Sequence, residues 1–173
     1  MKKVTIILTG VILMTIASVS VKAQATATAT AESSATIVAT LEIAKSSDLN
    51  FGNLAVTETA GTVVMSPNSA GTRTREGGVS LPVVNGTVSA AEFTVTGQSG
   101  YAYSISLPTS ILLSGDGADM TVDSFTTDKT DNTSALNGTT DSFYVGAKIH
   151  VNAGQTPGLY TNEDGLSVTV NYN

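Results

Sequence analysis

The chain has 173 residues, a net charge of −6 from eight basic and fourteen acidic side chains, no cysteine and a single histidine. Its acidity argues against nucleic acid or anionic lipid as a partner. The missing cysteines exclude disulfides, thiolate metal sites, a cysteine nucleophile and a lipid-bearing cysteine. Charged residues are only 13% of the chain while glycines number 16. With the abundant Thr, Ser, Val and Ala, this favours half-buried strands joined by tight turns.

Met1-Lys2-Lys3 is a short basic segment, Val4 to Val21 is mostly apolar, and Val21-Lys22-Ala23 has the residue sizes of a cleavage site. This is the layout of a secretory signal peptide over residues 1–23. It predicts export to the periplasm, the outer cell surface or the medium, with cleavage before Gln24. Removal takes away Lys2, Lys3, Lys22 and no acid, so the net charge moves from −6 to −9. No later segment is apolar enough to span a membrane. The 150 residues that remain suffice for one domain that buries most of its core without staples.

Residues 24–34 form a low-complexity arm in which Ala25 to Ala31 alternate strictly with Thr. The domain is expected over residues 35–173. In Ala35 to Ile43, the residues Ile37, Ala39, Leu41 and Ile43 share one face, which predicts a strand. Leu49 and Phe51 point inward next, and Thr62-Val63-Val64-Met65 is a short run stopped by Pro67. Asn68 to Gly78 reads as a polar loop. Val79, Leu81 and Val83 alternate before Asn85-Gly86, a hairpin-turn dipeptide. Phe93 and Val95 mark a strand, then Tyr101, Tyr103, Ile105 and Leu107, closed by Pro108. Met120, Val122 and Phe125 follow a Gly/Asp-rich loop. Phe143, Val145, Ala147, Ile149 and Val151 form the longest alternation, and Leu166, Val168, Val170 and Tyr172 the last. About 8–10 short strands without a long helix describe an all-β fold. Alternation of this kind fits antiparallel sheets with one dry face each, as a sandwich or a small barrel.

Few residues point to chemistry. His150 falls on the outward row beside Ile149 and Val151, and no Ser lies in a Gly-x-Ser-x-Gly turn. Asp116, Asp119 and Asp123 are candidate Ca²⁺ ligands on a Gly-containing stretch, but their spacing does not fit a twelve-residue calcium loop and no closing Glu follows. Solvated turn acids are the simpler reading, and no cofactor or metal is expected. Aromatic residues are 5% of the chain, with no Trp, which argues against the platforms of a glycoside hydrolase or a sugar-binding site. Asn85-Gly86-Thr87, Asn132-Thr133-Ser134 and Asn137-Gly138-Thr139 read as turns, and Arg73 and Arg75 as loop decoration beside Glu76. The chain is not expected to be an enzyme.

Several separated segments resemble a bacterial family, domain of unknown function 4402. They are Asp48-Leu49-Asn50-Phe51-Gly52-Asn53, the run Gly86 to Gly97, Gly100 to Ile105, Met120-Thr121-Val122, Phe143 to Ala147, Pro157-Gly158-Leu159-Tyr160 and Val168 to Tyr172. The resemblance covers roughly Thr36 to Asn173 and implies an immunoglobulin-like sandwich of pilin-like character, with no catalytic residues. The ending also looks like that of chaperone–usher fimbrial subunits, with an alternating apolar strand and an aromatic, Tyr172, next to last. Such subunits usually place a Gly where this chain has Tyr160, with Gly158 two residues earlier, and often carry a disulfide.

Two roles follow as expectations. The first is a fimbrial or pilin-like surface subunit assembled by β-strand addition. Strand-exchange candidates are Ile37, Leu41 and Ile43 at the start of the domain, and Val168, Val170 and Tyr172 at its end. Its partners would be protein: copies of itself, other surface subunits and a periplasmic chaperone. The second is a free-standing adhesin-like module that binds through the loops Asn68–Gly78 and Thr126–Asp141.

Overall fold

A computed structural model describes residues 25–173; the expected signal peptide, residues 1–23, lies outside the described residues. Residues 25–36 carry no helix or strand and are exposed. From Ile37 to Asn173 the chain forms one compact unit. Its strands are β1 (Glu42–Ser47), β2 (Ala55–Met65), β3 (Arg73–Ser80), β4 (Ala91–Thr96), β5 (Ala102–Ser106), β6 (Ser110–Leu113), β7 (Met120–Thr127), β8 (Thr133–Ala135), β9 (Thr140–Val151) and β10 (Thr169–Tyr172). A 3-10 turn, Thr130–Asn132, precedes β8. None of the helices among the described residues is long and apolar enough to cross a membrane.

The spine is β9, twelve residues long. Phe143, Val145, Ala147, Ile149 and Val151 all point inward and are buried, as their two-residue period demands. One edge of β9 pairs with β4 along its first half (Ala91 to Thr96 against Val145 to Thr140) and with β2 along its second (Gly61 to Met65 against Val151 to Ala147). The other edge pairs with β7. Gly146 sits at the handover, where a Cβ would run into the Met65 carbonyl, so only glycine admits this approach. Outside these, β1 pairs with β4, β3 with β2, and β6 with β7. A second sheet has the order β10-β5-β8. Every pairing is antiparallel.

The two layers make an antiparallel β-sandwich with two adjoining cores. In the first, Phe93, Val95, Phe143 and Val145 of the large sheet face Tyr103 and Ile105 of β5 and Leu136. Phe93 and Phe143 stack with ring centres 5.5 Å apart. In the second, Val63, Met65, Val79, Met120, Val122, Ile149 and Val151 pack with Phe51. Leu49 and Phe125 touch both cores. Phe125 joins the inward row out of phase because β7 bulges between Asp123 and Thr126. The extra residue, Ser124, adopts a left-handed φ of 52°, which skips one position in the alternation.

Five expectations need correction. The first strand starts at Glu42, so Ala35 to Leu41 is not strand, and Ile37 is 94% exposed. Much of the expected Asn68–Gly78 loop is β3, a polar edge strand whose arginines reach back across the chain: Arg73 donates to the Phe51 carbonyl and Arg75 to the Val79 carbonyl. Val83 is 99% exposed rather than inward. Asn85-Gly86 closes no hairpin, because β3 and β4 are not neighbours in the sheet; Asn85 instead accepts the Asn53 amide at 2.7 Å. Finally, Ser110–Leu113 forms β6 and Thr133–Ala135, within the expected Thr126–Asp141 loop, forms β8.

Candidate functional site

The second sheet spans only the first core. Over the second, the covering layer consists of two irregular segments held at opposite edges of the large sheet. Asp48 to Asn50, which follows β1, is tied to the start of β4: the hydroxyl of Ser47, the last residue of β1, donates to the Ala90 carbonyl at 3.0 Å, and Asn50 and Ser89 exchange amide hydrogen bonds of 2.8 and 3.0 Å. Gln155 to Asn162 is tied to β6 and the turn after it. Ser114 and Thr161 exchange two bonds of 2.9 Å, and Asn162 Nδ2 donates to the Leu112 carbonyl at 2.9 Å. Between the two segments lies a cleft of about 850 Å³.

The cleft is floored by inward residues of the sheet, among them Phe93, Val122 and Ile149, and walled by Leu49, Leu54, Leu159 and Tyr160. Val122 and Ile149 are sealed from solvent, at 0% and 1% exposure, so the opening stops above them and does not reach the sheet backbone. Leu159 stands at the wall 81% exposed. In the same wall, the buried Asn162 Oδ1 accepts no hydrogen bond. Lys45 and Asp48, at the other side, are paired with each other at 2.5 Å.

Two polar constellations lie elsewhere. Asp141 gathers Tyr103 Oη (2.9 Å) and Ser134 Oγ (2.6 Å) on one oxygen, and Lys129 Nζ (3.0 Å) and the Ser142 amide (2.9 Å) on the other. Burial pulls its pKa upward, but the donors from Ser134, Lys129 and Tyr103 outweigh this and hold it below the usual carboxylate range. Burial, reinforced by the bond to Asp141, pushes the Tyr103 hydroxyl well above an ordinary tyrosine. The group locks β8 and β5 onto the start of β9. On the outer face, His150 Nε2 lies 3.1 Å from both oxygens of Asp123. Hydrogen bonds from His150 and Ser124 lower the Asp123 pKa.

Of the calcium candidates, Asp123 is engaged by His150, Asp116 stands beside Gly158, and Asp119 offers its backbone carbonyl to Asn152. Among the described residues no three His, Cys, Asp or Glu side chains come together in a metal-binding group. The strand-exchange candidates separate. Ile43 lies in β1 opposite Val95, and Leu41 packs on the first core. Val170 and Tyr172 lie in β10 against β5, and Val168 packs beside them. Tyr172 Oη accepts the Gln98 amide at 2.7 Å and donates to the Ala39 carbonyl at 3.1 Å. Ile37 alone of the six stays outside any packing. The cleft itself was not legible in the sequence; the one local hint was the stretch Gln155–Gly165, which breaks the alternation with Pro157 and two glycines between two strands.

A family model described as "Domain of unknown function (DUF4402)" matches residues 41–172. The chain belongs to this family. The match starts at Leu41, so the DUF4402 domain contains all ten strands and both walls of the cleft, and residues 25–40 precede it. No curated protein and no solved structure matches the chain.

Proposed function

We propose that this chain is an exported cell-surface structural protein, a pilin-like subunit that assembles by β-strand addition. The observation that carries the reading is a strand-like sequence without a sheet. The Ala-Thr alternation and Ala35-Thr36-Ile37 have the period of a strand, yet residues 25–37 are exposed and Ile37 is 94% so. An added strand gains main-chain hydrogen bonds from the sheet it joins, and its alternate side chains fill pockets there. Burying Ile37 on such a partner contributes about 1.5–3 kcal/mol. Export rests on the signal-peptide pattern of residues 1–23, and cell fractionation with a tag after Asn173 tests it.

Assembly is tested by light scattering on the chain from Gln24 onward, over a hundredfold range of concentration. Growth in mass that disappears when Gln24 to Ile37 is deleted supports strand addition. A strict monomer at every concentration would sink it and leave the second reading, a free-standing binding module. That reading draws on Val83 and Val84, exposed by 99% and 76% in the segment between β3 and β4.

A further inference from the structure

We infer that the cleft over the second core receives residues 25–37 of a second copy of this chain, with the Ala and Ile row turned to the sheet and the Thr hydroxyls turned to water. The inference rests on the strand-addition reading and names both its acceptor and its guest.

The covering layer supplies the acceptor. It holds three strands above the first core and only irregular chain above the second. A strand laid between the Leu49 and Leu159 walls would complete the layer where it is open. Val122 and Ile149 beneath the cleft are already buried, so a docked strand makes its new apolar contacts with the walls, where Leu159 is 81% exposed. The odd-numbered row from Ala25 to Ile37, five alanines with Ser33 and one isoleucine, offers methyl groups and one larger side chain for those contacts. Asn162 Oδ1 is a buried acceptor without a donor, a situation that costs free energy until a donor arrives. A peptide backbone entering beside it carries N–H groups.

The guest fits in charge and reach. Subunits that carry −9 once residues 1–23 and their three lysines are gone repel one another, and residues 25–37 hold only Glu32 among ionisable groups. The paired Lys45 and Asp48 leave that wall close to neutral. A strand rises about 3.3 Å per residue, so thirteen residues span roughly 40 Å, twice a typical strand. The arm leaves the domain at Ala39, bound to Gln98 and Tyr172 beside the end of β4. The cleft lies at the other end of β4, by Ala91 and Phe93. An arm entering from another copy needs no reversal of the chain, whereas one folding back must run the length of β1.

The chain has no cysteine, which permits a clean cross-linking test. Ile37→Cys is mixed with Leu159→Cys, and separately with Val83→Cys, an equally exposed site outside the cleft. Both use the chain from Gln24 onward, after checking that each variant unfolds at the parental temperature. Docking raises the effective concentration of the first pair, so disulfide-linked dimer should form about tenfold or more faster with Leu159→Cys than with Val83→Cys. Excess peptide of residues 25–38 should abolish the difference. Equal rates, or indifference to the peptide, would overturn the inference. So would a double variant, Ile37→Cys with Leu159→Cys, that closes its disulfide within one chain. If the chain polymerises by light scattering while the rates stay equal, the cleft assignment falls and strand addition stands. If it is monomeric and the rates are equal, both fall.

Discussion

The two cores of this sandwich share one strand but are closed in different ways. Around Phe143, β9 is faced by a sheet of three strands, and the Asp141 group fastens β5 and β8 to it. Around Ile149, six residues along the same strand, the opposite layer is irregular chain with a cleft in it. The inward residues of β9 are equally buried in both halves. The difference lies in what covers them. It teaches that burial of a sheet's inner face does not require a second sheet, and that a lid of loops leaves room which strands would have filled.

The largest effect should come from truncating the closed half. Phe143→Ala removes a fully buried ring stacked on Phe93 between two sheets that cannot collapse, and should cost about 3–5 kcal/mol in denaturant unfolding. Ile149→Ala, under the looser lid, should fall toward the lower end of the range for such truncations, about 2 kcal/mol. Equal losses, measured on both variants in urea, would erase the contrast between the halves.

Next comes Asp141→Asn, which leaves Lys129 without its partner and turns one acceptor into a donor facing Ser134 or Tyr103. The expected cost is about 2–3 kcal/mol at neutral pH. The pH dependence has a definite sign. The folded pKa of Asp141 lies below its unfolded value. Its contribution is therefore complete above the unfolded pKa, near 4, and is lost as pH falls through the folded one. Thermal melts should show the parent losing stability on acidification below about pH 4 more steeply than Asp141→Asn.

A smaller effect is expected for Asp123→Asn. Its His150 partner and its own side chain are 44% and 35% exposed, and such pairs contribute about 1 kcal/mol or less. The smallest belongs to Leu159→Ser at the cleft wall, which should change stability by no more than about 0.5 kcal/mol. Because the cleft lid carries few hydrogen bonds, amide exchange in 155–166 should run faster than in β4 or β9. Equal protection there would show that the lid is as tight as a strand.

Much of the fold was legible where one row of a strand is large and apolar. Phe143 to Val151 and Tyr103 to Ile105 declare both their period and their inward face. Legibility failed at edges. β3 has only Val79 buried, and its Arg, Thr, Glu and Gly residues resemble a loop because one side of an edge strand is free to be polar. The four residues of β6 are too few to show a period. At Ile37 the alternation was visible, but an alternating row states which residues share a face without stating which sheet they join. The Ser124 bulge shifted Phe125 into the core by a backbone choice that no side-chain pattern announces.

The order of residues in this chain by itself determined an all-β domain, the family it belongs to, and most of the side chains in both cores, because burial of alternate positions is written locally, two residues at a time. Only the tertiary structure decided that β4 and β2 share one edge of β9, that the second sheet stops short, and that a cleft opens between Leu49 and Leu159. Those facts depend on segments many tens of residues apart meeting across a sheet or a cleft, and no local period encodes such a meeting.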